Sequence, residues 1–353
     1  MREQRRVAWI DWTRALGACA IILLHVLVST YQAYELPAER KYTYILLCIP
    51  LCRWAVPAFF MMTGYLLLDP ARPLGWDRVR KYVMRMVLVI LTFGLAFAFM
   101  EVVQNTLQAG ERLSWQIVPI AVQNTLTGNS WGHLWYVYAL LFVYPCLAAI
   151  AMLRERWGER AMSWLTIALV VLLLAVPTLW KILRLNDLVG WSPQRGTPSM
   201  LWDVFSGVTN ACVGNELRTK RLNPAWATMG LGCLATMMGV SAWGVAEGWG
   251  SINEVYMHTS CFATGYAAFV LLAIRWIDER YALQPTHLVG LVAQDSFGIY
   301  VIHPLFVHAI LMVWDPRQAI PILAELGFFC VVLLLSIATT RLLRRVPLLG
   351  SLV

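Results

Sequence analysis

The chain has 353 residues, of which 59% are hydrophobic and only 14% are charged, and its net charge is +8. Soluble domains usually carry about a quarter charged residues and place a polar face on each helix, which most of the apolar blocks here lack. The basic residues lie between apolar blocks and form no stripe with interleaved aromatics, which argues against nucleic acid as a partner. The composition therefore predicts an all-α membrane protein in contact with lipid.

Ten apolar blocks of about twenty residues follow one another along the chain, each long enough to cross the hydrocarbon core as a helix. We predict helices at 9–30, 44–68, 82–103, 133–153, 162–183, 199–217, 224–246, 258–277, 292–313 and 320–341. The first block holds ionisable residues and no cleavage site follows it, so we interpret it as a retained helix rather than a signal peptide. The longest connection, 104–132, contains an apolar patch that lies on the membrane or dips into it. We predict one membrane domain over 1–353, a polytopic helical bundle.

Basic residues alternate between the two sides of this bundle. One set of connections and helix ends holds 19 Lys and Arg, including Arg2, Arg5 and Arg6, and the opposite set holds seven, including Arg195 and Arg317. Connections rich in Lys and Arg stay in the cytoplasm, and the asymmetry has the same direction at every connection. The pattern predicts a multi-pass protein of the bacterial cytoplasmic (inner) membrane with both termini in the cytoplasm.

The first predicted helix carries Asp11, Arg14 and His25 on one stripe. At 100° per residue, Arg14 and His25 return to within about 20° of each other, and about 16 Å separates them along the axis. Ionisable groups inside a membrane span are costly and usually face a cavity or a partner. The stripe indicates either a functional site or an Asp–Arg pair that anchors the helix end beside a structural histidine.

The next two predicted helices add basic groups. Arg53 lies inside the second span, before the helix-loosening Pro57 and Gly64, and fits either an inter-helix salt bridge or a ligand. A cluster before and within the third helix contacts lipid headgroups or forms a phosphate site, because clustered arginines suit phosphate. Its members are Arg78, Arg80, Lys81 and Arg85.

Polar stripes recur on later helices. The fourth presents His133, Tyr136 and Tyr144 on one face, with Trp135 beside them in sequence, the sixth Asp203, Ser206 and Asn210, and the ninth Ser296, Tyr300 and His303, with Glu325 of the tenth as a further candidate. Several such stripes imply a shared hydrated cavity, as in a transporter or an intramembrane enzyme. The eight cysteines form no metal-ligand pattern, so we predict neither a disulfide nor a metal. We also expect no permanently bound cofactor.

Several segments, in order along most of the chain, resemble the acyltransferase 3 family of membrane acyltransferases. Residues 9–14 with His25 are similar to its Arg-x10-His signature. Further similar segments are 53–65, with Thr63 in place of the usual Ser, 133–136 with Pro145, and 296–303. The family's basic pair before the third helix is matched only loosely, by Arg80, Lys81 and Arg85. The resemblance is strongest to the enterobacterial common antigen O-acetyltransferase type.

The resemblance implies an O-acetyltransferase that takes acetyl-CoA as cytoplasmic co-substrate and a hydroxyl of a cell-surface or lipid-linked glycan as acceptor. Arg14, Arg80, Lys81 and Arg85 would then hold the CoA phosphates. His25 would act as general base or carry the acyl group, with His303 and Tyr300 orienting it or stabilising the oxyanion. His133, Trp135, Tyr136 and Ser296, with Asp11 and Arg53, would line the cavity and its acceptor end. The rival hypothesis is a secondary transporter or flippase of a polar or glycolipid substrate.

Overall fold

The computed structural model describes residues 8–36, 38–190, 192–194, 197–247, 257–315 and 321–353. Within these ranges the chain forms helices and no strand. Ten long helices match the predicted spans. They are α1 (Ala8–Ala33), α2 (Glu39–Leu67), α3 (Trp76–Gln108), α4 (135–157), α5 (159–182), α6 (Ser199–Glu216), α7 (Pro224–Ala246), α8 (Cys261–Tyr281), α9 (His287–Val313) and α10 (Pro321–Leu343). The predicted fold class, an all-α polytopic membrane bundle, is confirmed.

By length and composition alone, eight helical segments of the described chain can cross a membrane. One of them, Ile117–Ile182, contains both α4 and α5, which Gly158 separates with φ 78 and ψ 170. This left-handed φ favours glycine because a Cβ would be strained there. The helix α6 is outside the eight because Asp203, Asn210 and other polar residues lower its hydropathy.

Several predicted helix boundaries move outward in the structure, and the starts of α3 and α9 show the reason. Helix α3 begins at Trp76 instead of residue 82, so that its first turns carry Arg78, Arg80 and Lys81. Helix α9 begins at His287 instead of residue 292, where the Thr286 hydroxyl accepts a hydrogen bond from the Val289 amide at 3.3 Å. Hydropathy finds only the apolar part of a helix, whereas charged turns and caps extend it beyond the hydrocarbon.

Helix α2 is interrupted at Arg53 and Trp54. Pro57 lacks an amide proton and therefore cannot bond the Arg53 carbonyl four residues earlier, whereas Ala58 bonds the Trp54 carbonyl at 3.0 Å. The proline predicted from sequence to loosen this helix thus breaks it one turn before its own position. In the second half of α2, Ala55–Leu67, the break lies at the N-terminal end, whereas Gly64 lies near the C-terminal end.

Helices α2 and α6 cross at very short range. A Cβ at Gly64 would clash with the Ala211 backbone of α6, and one at Gly214 would clash with the Met61 backbone of α2. Small residues allow this close backbone approach between membrane helices. Helix α1 packs against α2, α8, α9 and α10, so the stripe that carries Arg14 and His25 lies inside the bundle.

Contacts between connections define two ends of the bundle. At the end that we call the basic end, Arg154 bonds the Leu68 carbonyl, Arg275 bonds the Arg218 carbonyl at 3.1 Å, and Arg344 bonds the Gln294 carbonyl at 2.8 Å. There the buried Asp295 also pairs with Arg341 at 2.8 Å and Arg344 at 2.7 Å. The predicted members Arg2, Arg5 and Arg6 of this set lie outside the described residues.

The opposite end is held by a buried group of three side chains. The Arg40 guanidinium pairs with Glu325 at 2.9 Å, and the Tyr44 hydroxyl donates to the same carboxylate oxygen at 2.7 Å. Glu325 therefore ties α10 to α2 and does not line the cavity described below. At this end the predicted apolar patch forms a short helix, Ile117–Thr127, with several apolar side chains exposed. Arg195 and Arg317, also assigned to this end from sequence, lie outside the described residues.

Candidate active site

A cavity of about 880 Å³ runs from the basic end into the interior of the bundle. Its walls come from α1, α2, α3, α4 and α9, together with Arg218 just after α6. The exposed Arg72 and Gln294 are among its lining residues, so the cavity reaches the surface at the basic end. From Arg14 to His25 the α1 wall alone extends it about 16 Å towards the opposite end.

Charged side chains surround the opening, which we call the basic mouth: Asp11, Arg14, Asp69, Arg72, Arg85 and Arg218. Arg218 lies 3.5 Å from the Asp69 carboxylate and stacks over the Tyr65 ring at 4.5 Å. Arg85 donates to the Leu352 carbonyl at 3.1 Å and lies 5.0 Å from the centre of the Phe297 ring. Four guanidinium groups against two carboxylates give the mouth a net positive charge, which attracts anions.

Three imidazoles meet deeper in the cavity and form what we call the imidazole cluster: His25, His133 and His303. The ring centres of His25 and His303 are 4.9 Å apart and those of His133 and His303 are 5.9 Å apart. His303 is fully buried, whereas His25 is only half-buried. The cluster thus joins α1, α4 and α9 at the inner part of the cavity.

Backbone carbonyls fix the orientation of two of these rings. His303 Nδ1 lies 2.8 Å from the Tyr300 carbonyl oxygen and 3.1 Å from that of Ile299. A carbonyl only accepts, so we assign the proton of the neutral ring to Nδ1. The Nε2 atom then keeps its lone pair, and it has no hydrogen-bond partner among the described residues.

The same reasoning applies to His133. Its Nε2 lies 3.2 Å from the Val301 carbonyl and donates to it. The Tyr300 hydroxyl in turn donates to the His133 backbone carbonyl. Two hydrogen bonds therefore join the start of α4 to α9 at the cluster, one donated from each side. In this structure Tyr300 bonds the backbone of His133.

Aromatic rings continue from the cluster along the wall formed by α4. The centres of Tyr300 and Tyr136 are 5.5 Å apart, and those of Tyr136 and Trp135 are 5.9 Å apart. On the other side of Trp135, the His258 ring stacks at 4.0 Å with an interplanar angle of 18°. Aromatic surfaces of this size suit the apolar faces of a ring-shaped ligand.

The structure brings most of the predicted site residues to this one cavity. Its lining includes Asp11, Arg14, His25, Arg85, His133, Trp135, Tyr136, Ser296, Tyr300 and His303. Arg80 and Lys81 are exposed at the basic end outside the lining. Arg53 lies at the break in α2 behind the lining, where it interacts electrostatically with both His25 and His258.

Some residues in or beside the cavity lining were not predicted as part of a site. From sequence, Arg72 and Arg218 belong only to the basic set that predicts the membrane orientation. That set shares its predicted side of the membrane with Arg14, which was the one available signal for a role in the site. Tyr65 closes the similar segment of α2 and was not given a role. No sequence pattern marks His258, because only the tertiary stack on Trp135 distinguishes it from an ordinary residue near a helix start. The stripe of Asp203, Ser206 and Asn210 lies behind the cavity and not in its lining.

Fold and cavity define a polytopic membrane protein with a polar site inside its helical bundle. The model of the acyltransferase domain family, acyltransferase 3, matches residues 7–341. The chain belongs to this family of membrane acyltransferases. Searches of curated proteins and of solved structures gave no match.

Proposed function

We propose that the protein is an O-acetyltransferase of the bacterial inner membrane, similar to the enterobacterial common antigen type. It moves an acetyl group, or another short acyl group, from cytoplasmic acetyl-CoA to a hydroxyl of a cell-surface or lipid-linked glycan. One observation carries the proposal: a single cavity joins an arginine-rich mouth to three imidazoles inside the membrane. A donor held at the mouth can therefore reach a base without leaving the protein.

The donor binds at the basic mouth. Coenzyme A carries several phosphates, and guanidinium groups bind phosphate through paired charge-assisted hydrogen bonds. Arg14, Arg72, Arg85 and Arg218 contact these phosphates, while Arg80 and Lys81, exposed nearby, attract the anion from a distance. The basic end faces the cytoplasm, where coenzyme A resides, and both termini lie on that side.

His25 removes the proton from the acceptor hydroxyl. The oxygen attacks the thioester carbonyl carbon, the carbon–sulfur bond breaks, and the proton passes from His25 to the departing thiolate. The products are the acetylated sugar and free coenzyme A, so protons and electrons balance. General-base catalysis of this kind contributes about 10²–10⁴-fold to the rate. In the alternative route, the His25 nitrogen itself carries the acetyl group between the two steps.

His303 and Tyr300 position this chemistry. His303 Nε2 has a free lone pair, and the His25 ring lies 4.9 Å away between centres, so a rotation of the His25 ring would bring one of its nitrogens within hydrogen-bond distance and leave the other unprotonated as the base. Tyr300 holds the His133 backbone and, through it, the start of α4. His133, Trp135 and Tyr136 face the acceptor, Ser296 and Asp11 line the donor path, and Arg53 lies behind the base.

The test is mass spectrometry of surface and lipid-linked glycans from cells that express the wild-type chain or the His25→Ala variant. The expected result is an added acetyl mass with the wild type and none with the variant, at equal amounts of membrane-inserted protein. A glycan mass that does not depend on the chain, with movement of a glycolipid across the membrane instead, would favour the flippase hypothesis.

A further inference from the structure

A pair formed by the buried His258 and the half-buried Asp203 packs against Trp135 outside the lining of the cavity. The His258 ring covers one face of the indole at 4.0 Å between centres, nearly parallel to it. His258 Nε2 lies 2.9 Å from a carboxylate oxygen of Asp203 on α6. Trp135 lines the cavity and His258 does not, and the indole face that His258 covers is closed to a ligand in the cavity.

The backbone of His258 is held as firmly as its ring. The Ser206 hydroxyl donates to the His258 carbonyl at 2.7 Å, and the Asn210 side-chain amide donates to the Ser206 backbone carbonyl at 2.9 Å. The Thr264 hydroxyl of α8 donates to the Asn210 side chain at 3.0 Å. This group joins α6, α8 and the turn between α7 and α8, and every member except Asp203 is buried.

The charge of the pair is also constrained. Burial lowers the pKa of His258 below its usual range, the Asp203 carboxylate opposes this effect, and the Arg53 cation adds to it. A neutral His258 still donates from Nε2 to Asp203, which fixes the plane of the imidazole. The fixed imidazole therefore holds the stacked indole in one plane before any ligand contacts it.

Trp135 is also connected to the proposed base. Ring contacts run from Trp135 to Tyr136, from Tyr136 to Tyr300 at 5.5 Å, and from Tyr300 to His303 at 6.1 Å, which meets His25 at 4.9 Å. A rotation of the indole would therefore change how a ligand on its open face lies relative to the imidazole cluster.

We propose that Trp135 is the platform on which the sugar ring of the acceptor stacks, and that Asp203 and His258 are positioning residues that fix its plane. This inference rests on the proposed function. It assigns a substrate class, a pyranose with one apolar face of C–H groups, and it assigns the choice of hydroxyl to the plane of the indole. Holding the platform rigid orients the reacting hydroxyl before the chemical step.

The experiment uses the full chain in lipid nanodiscs, with radiolabelled acetyl-CoA and n-decyl β-D-glucopyranoside as the acceptor. We measure KM for the glucoside, KM for acetyl-CoA and the ratio of acetylated positions in the product. Trp135→Ala should raise KM for the glucoside about tenfold and leave KM for acetyl-CoA within about twofold, because stacking on an aromatic ring contributes a modest binding free energy.

The positioning residues are tested by their effect on regiochemistry. His258→Ala and Asp203→Ala should raise KM for the glucoside about threefold and spread acetylation over more than one hydroxyl. His258→Phe, which retains a ring to stack, should restore KM better than His258→Ala but not the single product, because it cannot bond Asp203. The matched control is Ser241→Ala on α7, which removes a buried hydroxyl that bonds the Met237 carbonyl of its own helix, outside this group, and should change neither readout.

The inference would be overturned if variants at Trp135, His258 and Asp203 all left the KM for the glucoside and the product ratio unchanged. A parallel rise in KM for acetyl-CoA would also overturn it, because it would indicate a donor-side or general structural role. If the wild type transfers no acetyl group, the proposed function fails. The role of Trp135 as the platform is then tested by equilibrium binding of the glucoside. Binding that Trp135→Ala weakens supports it, and equal or absent binding overturns it.

Discussion

The basic mouth and the imidazole cluster hold their polar groups in different ways. At the mouth, guanidinium groups rest on aromatic rings and on a carboxylate that is itself partly exposed, such as Asp69 beside Arg218. In the cluster, ring nitrogens are fixed by backbone carbonyls of buried helices. Partners at the mouth can be exchanged for those of an arriving anion, whereas the geometry of the cluster is set before any ligand binds. Under the proposed function, donor binding and chemistry thus occupy separate regions, and mutations should change KM and kcat separately.

The largest effect should come from His25→Ala. Loss of the proposed base should lower kcat for acetyl transfer by about 10²–10⁴-fold, with KM for acetyl-CoA nearly unchanged because the mouth is intact. Steady-state assays in nanodiscs provide both constants. The control is His308→Ala, an exposed imidazole whose ring stacks on Trp131 outside the cluster. Equal loss in the two variants would remove the special role of His25.

A smaller loss of kcat should follow from His303→Asn. The amide can replace Nδ1–H towards the carbonyls of its own helix, but it has no counterpart of the unpartnered Nε2. We expect kcat to fall about tenfold to a hundredfold, and the pH–rate profile to change because His25 loses the neighbour that fixes its tautomer. A lower rate with an unchanged pH profile would indicate that His303 only supports the packing.

At the mouth, Arg14→Ala and Arg218→Ala should each raise KM for acetyl-CoA about tenfold while kcat changes little, because charge-assisted hydrogen bonds to phosphate are lost. The effect should decrease as salt is added. Measurements of KM at low and high ionic strength check both statements. A fall in kcat at unchanged KM would instead indicate that these arginines only anchor the ends of their helices.

The smallest effect should come from Arg80→Ala and Lys81→Ala. Both side chains are exposed outside the cavity lining, so each should change KM for acetyl-CoA by less than about twofold at physiological salt. A tenfold rise in KM for either variant would show that the donor extends beyond the mouth as the structure defines it.

The fold was predictable because the cost of burying backbone and charge in lipid leaves few solutions. Hydropathy found the ten long helices, and helical periodicity placed Arg14 and His25 on one face. The cavity brought together residues from five helices that periodicity treats one at a time. Arg72, Arg218 and His258 were not predicted as site residues because their contacts depend on which side chains face them across the bundle. Glu325 was a candidate for the cavity only because it is an ionisable group in a membrane helix, and its partners on α2 are not visible in the sequence.

The central claim is that the donor enters from the basic end and reacts at the imidazole cluster. Proteoliposomes in which the protein has one known orientation test this claim, with labelled acetyl-CoA supplied to one side at a time and a membrane-soluble glucoside present throughout. Acetylated glucoside is expected only when acetyl-CoA is on the side of the basic end, and none is expected with His25→Ala. Transfer from acetyl-CoA supplied only at the opposite end would contradict it.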